Sequence, residues 1–190
     1  MGAPPRNLAG LHDVELAGLA SLGQRAAFGE LVRRHGSAVR GLLRRMGADP
    51  ALADDVAQDA FLAAFERIAE FRGEGTFQAW VKRIAARLCV KRLRRAARLD
   101  LSAEAPEPEP DARREADPNA RLDLEEALKA LPRAERVCVS LCFGAGFSHA
   151  ETAELLNTPL GTVKSHVKRG LDRLRGRLAA SDEAGRRVHG

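Results

Sequence analysis

The segment SHAETAELLNTPLGTVKSHVKRG, residues 148–170, decides how the C-terminal part of the chain folds. Ser148 and Glu151 form the S-x-x-E pattern of a capping box, which predicts that a helix starts at this point. Asn157 is of a type that commonly ends a helix, and a new helical pattern follows after about three residues. Two helices joined by so short a turn form a helix-turn-helix, whose second helix enters the DNA major groove.

The second helix is predicted to carry a basic outer face. Thr158 is placed to cap it, and Pro159 suits its first position. An apolar stripe would hold this helix to its domain, and its members are Val163, Val167, Leu171, Leu174 and Leu178. A phosphate-binding Walker loop is excluded, because the spacing G-x-x-x-x-G-K-[ST] and a preceding strand pattern are missing. A helical hairpin that contacts another protein is the alternative.

The remaining periodicity is also helical, so we expect an all-α fold. Residues 24–46 repeat apolar side chains every three or four positions, and Asp49 before Pro50 predicts a second helix that continues to about residue 69. Thr76 is placed to cap a third helix. One side of that third helix is apolar and consists of Phe77, Trp80, Val81, Ile84 and Leu88.

An acidic, proline-rich segment divides the chain. DLSAEAPEPEPDARREADPN, residues 100–119, has seven acids, two arginines and four prolines, and it has too few apolar side chains to offset the entropy of ordering. We therefore expect two small helical domains joined by a flexible acidic linker. The predicted boundaries are 1–98 for the N-terminal domain, 99–120 for the linker, 121–178 for the helix-turn-helix domain and 179–190 for a polar tail.

Charge is distributed very unevenly in the N-terminal domain. Residues 49–70 contain six acids and one arginine, whereas residues 82–98 contain eight bases and no acid. Five of these bases form one stripe about 22 Å long at 1.5 Å rise per residue, and they are Arg83, Arg87, Lys91, Arg94 and Arg98. Phe71, Phe77 and Trp80 flank the glycine turn beside the stripe, and aromatic groups next to a basic track are typical of sites that hold unstacked bases. A solvated basic face is the alternative for the stripe. Core packing is the alternative for Phe77 and Trp80, and it is the interpretation favoured for Trp80.

Composition excludes several other classes. No apolar run approaches the roughly 20 residues that span a bilayer, and the N-terminus lacks a signal-peptide core, so we expect a cytoplasmic protein without membrane insertion. The overall balance of 31 bases against 26 acids permits a polyanionic partner. Cys138 and Cys142 lie four apart on an apolar helix face without a histidine at ligand spacing, so a thiol or metal role is the weaker interpretation and no metal or cofactor is expected.

Five segments together carry a pattern that is specific to one family. They are AFGELVRRHGSAVRGLLRRMGADP (27–50), DDVAQDAFLAAFERIAEF (54–71), GTFQAWVKRIAARLCVKRLRR (75–95), LPRAERVCVSL (131–141) and FSHAETAELLNTPLGTVKSHVKR (147–169). In this combination the chain resembles sigma factors of the extracytoplasmic-function group in the bacterial sigma-70 superfamily. The resemblance covers nearly the whole chain.

The resemblance implies a transcription initiation factor with no catalytic residue of its own, because RNA polymerase does the chemistry. The acidic helix would dock on the polymerase clamp helices through Asp55, Gln58 and Asp59. The residues expected at the downstream promoter element, as it melts, are Phe71, Thr76, Phe77, Arg83, Arg87, Lys91, Arg94 and Arg95. Those expected at the upstream element are Gly161, Thr162, Lys164, Ser165, His166, Lys168, Arg169 and Arg173, with Lys168, Arg169 and Arg173 mainly on phosphates.

The implied partners are core RNA polymerase, promoter DNA and an anti-sigma factor. Two alternatives remain. A mimic of a sigma factor would sequester an anti-sigma factor and would not need to keep DNA-facing bases, yet this chain keeps both basic helices. A stand-alone repressor would need a dimerisation or effector domain, which the remaining residues do not supply.

Overall fold

The computed structural model describes residues 8–95 and 124–187, with side chains as far as residue 179. Within these ranges the chain is all-α, as predicted, and has no strand. Its helices are α1 (Asp13–Ser21), α2 (Arg25–Arg45), α3 (Pro50–Glu66), α4 (Phe77–Arg95), α5 (Leu124–Lys129), α6 (Arg133–Val139), α7 (His149–Leu156) and α8 (Leu160–Arg187). The predicted linker and Arg98 lie outside the described residues.

The chain divides into two units, with a boundary inside α4 between Cys89 and Val90. The first unit contains α1, α3 and most of α2 and α4, and the second contains α5 to α8 together with Arg45–Gly47 at the end of α2. The expected end of the N-terminal domain, at residue 98, lies outside the described residues. The helix α8 also continues to Arg187, beyond the helix end expected at residue 178.

The core of the first unit is built around aromatic side chains. Phe28 of α2 makes edge contacts with Phe61 and Phe65 of α3, at ring-centroid distances of 6.5 and 5.0 Å, and with Phe77 of α4 at 6.4 Å. Such edge-to-face arrangements are favourable beyond the area they bury. The side chain of Asp49 accepts from the backbone N–H of Leu52 at 2.9 Å, which confirms the predicted start of α3. This helix ends at Glu66 and a 3₁₀ turn, Ile68–Glu70, follows it.

The N-terminal segment is fastened to α2 by two neighbouring side chains. Arg34 donates to the backbone carbonyls of Ala9 and Leu11, at 2.8 Å each. It also pairs with Asp13 at 3.0 Å, and the second carboxylate oxygen of Asp13 lies 2.7 Å from Nε2 of His35. These bonds satisfy backbone carbonyls that the short N-terminal turn leaves without helical partners, so α1 is held on α2.

The second unit is centred on α6 and α8. Its core cluster combines Ala127, Leu128, Leu131, Val139 and Leu174, with Leu171 and Leu178 packed against it. After α6 the helix continues as a π-helical turn, Ser140–Gly144. The capping box is confirmed, because the side chain of Ser148 accepts from the N–H of Glu151 at 3.1 Å and the reciprocal bond measures 2.8 Å.

The turn between α7 and α8 differs from the prediction at one residue. Asn157 ends α7 in a left-handed conformation, with φ of 49°, as expected for a helix stop. The bond described for the hydroxyl of Thr158 is a donation to the carbonyl of Leu156 at 3.2 Å, which supports the turn, and no acceptance from a backbone N–H of α8 is described for it. Pro159 precedes α8, and its carbonyl accepts from the N–H of Val163 at 3.1 Å.

Gly170 is the point of closest approach between α8 and α6. A Cβ atom at this position would lie 2.8 Å from Cγ2 of Val139 and 3.3 Å from Cβ of Glu135. The first distance is shorter than carbon atoms tolerate, and the β-branched side chain of Val139 has little freedom to move. The glycine is therefore required by helix packing.

We expect Gly170→Ala to lower the free energy of unfolding by about 1–3 kcal/mol, because the added methyl overpacks the α6–α8 contact. Gly176→Ala on the same helix is the matched control, since a Cβ there would meet nothing within 4 Å. This second change should stabilise the chain by up to about 1 kcal/mol through helix propensity. Urea unfolding followed by circular dichroism measures both. Equal effects of the two substitutions would contradict the close approach at Gly170.

Candidate nucleic-acid interface

The exposed face of α8 is basic, as its sequence predicted. Val163, Val167 and Leu174 are buried and hold the helix to its unit. The opposite face is exposed and consists of Gly161, Lys164, Ser165, Lys168, Arg169 and Arg173. Nothing would lie within 4 Å of a Cβ atom at Gly161, so the first turn of α8 offers a bare backbone to whatever approaches. Such a face fits a polyanion.

Two of the predicted base-reading residues are engaged within α8 itself. The hydroxyl of Ser165 donates to the carbonyl of Gly161 at 2.9 Å, which leaves its oxygen as an acceptor. His166 is half-buried, and its Nδ1 lies 3.1 Å from Nη2 of Arg169. Because a guanidinium only donates, Nδ1 accepts, and the ring is neutral with its proton on Nε2. Burial, together with the charge of Arg169, lowers the pKa of His166.

Glu135 was not anticipated from the sequence. It lies on α6, is only 4% exposed, and its two carboxylate oxygens lie 3.4 Å from Nε of Arg169 and 3.4 Å from Nε of Arg173. The available signal was a single acid in the otherwise largely apolar stretch 133–143, but no pattern in the sequence names its partners.

The basic face of α4 is exposed along most of its length. Arg87, Lys91, Arg94 and Arg95 are exposed, and Arg83 is half-buried. From Arg83 to Arg95 this face extends about 18 Å at 1.5 Å rise per residue. Of the residues predicted on the apolar side, Phe77, Val81 and Ile84 are buried and Trp80 and Leu88 are half-buried.

The turn before α4 is shaped by glycine. Gly73 and Gly75 have φ of 76° and 130°, values that side chains other than glycine rarely adopt. The hydroxyl of Thr76 accepts from the N–H of Ala79 at 3.1 Å, which confirms its capping role. Phe77 is placed differently from the expectation of a base contact. It is 1% exposed and lies in the core, so its ring is not accessible to a base.

The half-buried aromatic side chains of this turn are Phe71 and Trp80. Their ring centroids lie 5.5 Å apart, and each also packs on Phe77, at 5.5 and 5.7 Å. Trp80 therefore belongs to the packed cluster, as favoured from its spacing. Phe71 lies at the glycine turn itself and keeps part of its ring accessible.

The acidic helix α3 borders an apolar groove. Asp55 and Gln58 are exposed and Asp59 is half-buried. Gln58 and the exposed Leu62 line a groove of about 580 Å³ between α2 and α3. The other polar residues that line it are Arg25, Arg40 and Asp54, so the rim carries both signs of charge around an apolar floor, which suits a protein partner with an apolar surface to bury.

The cysteines of the second unit are poorly suited to redox chemistry. Burial raises the pKa of Cys138 to about 12 and also raises that of Cys142, whose sulfur lies 3.4 Å from the hydroxyl of Thr152. Thiolates are the reactive form, so these raised pKa values disfavour reaction at both groups near neutral pH. Across the described ranges there is no group of three metal-ligating side chains, and none of the helices there is long and apolar enough to cross a membrane.

Two family models match the chain, one in its N-terminal part and one in its C-terminal part. Residues 31–99 match the family model for sigma-70 region 2, and residues 121–174 match that for sigma-70, region 4. An ECF RNA polymerase sigma factor of Mycobacterium tuberculosis, SigM, is 35% identical over 85% of this chain and 82% of its own. The chain belongs to the ECF sigma factor family. The resemblance described from the sequence is thereby confirmed.

Other relatives of this sigma factor cover nearly its whole length. CnrH of Cupriavidus metallidurans is 30% identical over 88% of this chain and 95% of its own. The solved structure of CnrH in complex with the cytosolic domain of CnrY aligns with a TM-score of 0.52, again at 30% identity, and covers 88% of this chain and 97% of that one. A structure of RpoE from Bartonella quintana, bound to the anti-sigma factor NepR, is 22% identical and shares the fold, with a TM-score of 0.50.

We expect the stability of the DNA-free protein to fall as pH drops below about 6.5, in part because of His166. Above that pH the imidazole is neutral in both states. Below it the unfolded chain binds a proton that the folded chain, with its lowered pKa, does not, so folding loses free energy as pH falls. Urea unfolding between pH 8 and 5.5 measures the effect.

His166→Gln should flatten this part of the pH dependence, because glutamine does not titrate. His149→Gln, at the other histidine of α7 and α8, is the matched control and should keep it. An identical pH profile for His166→Gln and the unaltered chain would contradict the role assigned to the His166 ring.

Proposed function

We propose that the chain is an alternative sigma factor that binds core RNA polymerase, reads the upstream promoter element with α8 and the downstream element with α4 and the preceding turn, and promotes melting. The proposal rests mainly on one observation. The chain matches sigma-70 regions 2 and 4, and both α4 and α8 have an exposed basic face. A protein that only bound duplex DNA through its helix-turn-helix would need only the basic face of α8.

At the upstream element we assign two kinds of contact along α8. Lys168, Arg169 and Arg173 contact phosphates, which fix register without reading sequence. Lys164 and Ser165 lie nearer the first turn, where recognition helices meet base edges. Since the hydroxyl hydrogen of Ser165 is used within the helix, its oxygen would accept from an adenine or cytosine amino group, whereas Lys164 would donate to guanine.

At the downstream element we assign the glycine turn and α4 to single-stranded DNA. The exposed bases Arg87, Lys91, Arg94 and Arg95 would follow the backbone, while the half-buried Phe71 and the exposed Thr76 would meet an unstacked base. Extruding a base costs a few kcal/mol, which stacking and phosphate contacts together can offset.

For polymerase docking we assign the α3 surface that carries Asp55, Gln58 and Asp59, together with the adjoining groove. Its charge is opposite to that of α4, so this surface would repel DNA and attract a basic protein face. The placement of Gln58 on the groove wall and of Leu62 at its edge gives such a partner apolar area to bury. In this assembly the polymerase catalyses RNA synthesis, so we assign the chain no catalytic residue. We place its action in the cytoplasm, where the polymerase works.

An anti-sigma factor is the third proposed partner. Relatives of the same fold are known in complex with CnrY and NepR, and the second of these is named as an anti-sigma factor. The alternative of a sigma mimic is not favoured, because a mimic that only sequesters such a regulator has no need for exposed bases on α4 and α8.

The function is tested by adding the purified chain to core RNA polymerase and a library of genomic fragments. We expect promoter-specific transcripts from a subset of fragments, and none from core enzyme alone. The transcribed fragments should be protected upstream and opened downstream when probed with permanganate. Binding to core enzyme without any specific transcript or opening would overturn the sigma assignment.

The α4 assignment predicts that Arg87→Ala with Lys91→Ala weakens promoter opening in a salt-dependent way. Each lost phosphate contact lowers the slope of log K against log salt by about 0.7 on single-stranded DNA. Opening measured by permanganate reactivity between 50 and 200 mM salt gives both the loss and the slope.

The control for this double substitution removes the same charge from α2, as Arg33→Ala with Arg44→Ala, where both side chains are exposed. This α2 variant should leave the slope of log K against log salt unchanged. Opening by the α4 variant equal to that of the unaltered chain at every salt concentration would remove α4 from the melting step.

A further inference from the structure

The guanidinium of Arg34 fixes α1, and the segment before it, on α2. It donates five hydrogen bonds, which is as many as a guanidinium has N–H groups. Three of them go to backbone carbonyls of residues 8–11, at 2.8 to 3.2 Å, one goes to Asp13 at the start of α1, and one goes to Glu30 of its own helix. A lysine would keep the charge but could not span these acceptors, because all its N–H groups leave from one nitrogen.

The helix α1, held in this way, lies against the glycine turn (71–76). It packs on the 3₁₀ turn Ile68–Glu70, which directly precedes the glycine turn. A Cβ atom at Gly73 would lie 3.6 and 3.7 Å from the two methyl carbons of Val14 on α1, so the side chain of Val14 lies directly beside Gly73. Val14 is nevertheless 54% exposed, so its contact with the turn can be removed without opening the core.

The glycine turn has little rigidity of its own. Gly73 and Gly75 have positive φ, and glycine loses more conformational freedom on ordering than any other residue. One backbone bond is described within the turn, from the N–H of Gly75 to the carbonyl of Gly73 at 2.8 Å. Phe71 and Thr76, which we assign to an unstacked base, lie at the two ends of this segment. Their relative placement therefore depends on what packs against the turn.

We propose that α1 is a buttress for the glycine turn: fixed on α2 by Arg34, it packs beside Gly73 through Val14. The turn is thereby held in the arrangement in which Phe71 and Thr76 receive an unstacked base. The inference rests on the proposed role of the turn at the downstream element, and it adds Arg34 and Val14 as positioning residues that act through the turn. A preordered turn loses less conformational entropy when a base binds, and it cannot re-pack around other bases as a mobile one can.

The first test uses Trp80, the single tryptophan of the chain, whose ring centroid lies 5.5 Å from that of Phe71. Acrylamide quenching of its fluorescence in the free full-length chain measures access to this cluster. Val14→Ala and Arg34→Lys should each raise the quenching constant, because a loosened turn admits the quencher. Val14→Ile keeps a branched side chain beside Gly73 and should retain the original constant.

Two matched controls alter similar side chains that do not face the turn. Leu22→Ala removes a leucine directly after α1 that is 81% exposed. Arg33→Lys changes the arginine next to Arg34, whose described bonds go to Glu30 at 2.8 and 2.7 Å. Both controls should keep the quenching constant of the unaltered chain.

The second test measures discrimination between bases with core RNA polymerase and a fragment that the unaltered chain transcribes. Each base pair of the downstream element is changed in turn, and the transcripts are compared. For Val14→Ala and Arg34→Lys we expect discrimination at the most selective position to fall about 3- to 10-fold, as for the loss of preordering of one or two groups. A merely structural role would lower the amount of active protein and leave this ratio unchanged, because the same protein is used on both templates.

The result for Val14→Ala does not depend on the folding of the Arg34 variant, since alanine suits a helix at least as well as valine. An unchanged quenching constant or an unchanged discrimination ratio for Val14→Ala would overturn the inference. Equal effects from Leu22→Ala and Arg33→Lys would also overturn it, because they would not arise at the turn. Failure of the proposed sigma function appears separately, as the absence of promoter-specific transcripts from the unaltered chain.

Discussion

The close approach of α6 and α8 at Gly170 is the contact on which the second unit depends. A side chain there would collide with Val139, and a wider separation would pull Glu135 away from Arg169 and Arg173. The packing of α6 on α8 and the placement of these charges therefore depend on the same distance. The helix separation that closes the core also brings the Glu135 carboxylate close to the guanidinium groups of Arg169 and Arg173. The orientation of α8, and with it the set of side chains that face outward, follows from this contact.

In the first unit the comparable constraint is the aromatic cluster around Phe28 and Phe77. The rings fix α2, α3 and α4 against each other, so that the basic face of α4 and the acidic surface of α3 point away from the core. Phe77 contributes to this by packing under Phe71. Phe77 thus contributes packing to the glycine turn, whereas Phe71 is half-buried and Thr76 is exposed there.

Local signals were predictable from sequence, and contacts between distant segments were not. The caps at Asp49 and Ser148 and the helix stop at Asn157 each depend on a few neighbouring residues, and each was confirmed. At Thr158 the hydroxyl donates to the carbonyl of Leu156, a local bond within the turn that the sequence pattern did not indicate. The burial of Phe77 and the pairing of Glu135 depend on which helix lies opposite, which periodicity does not specify.

The distribution of charge bears on the choice between a working DNA reader and a mimic. Exposed bases lie on both α4 and α8, and they are Arg87, Lys91, Arg94 and Arg95 on α4 and Lys164, Lys168, Arg169 and Arg173 on α8. A mimic that only sequesters an anti-sigma factor has no need of either basic face, whereas a reader of promoter DNA uses such faces to contact phosphates. Basic faces on both helices therefore favour a protein that meets DNA over one that only resembles such a protein.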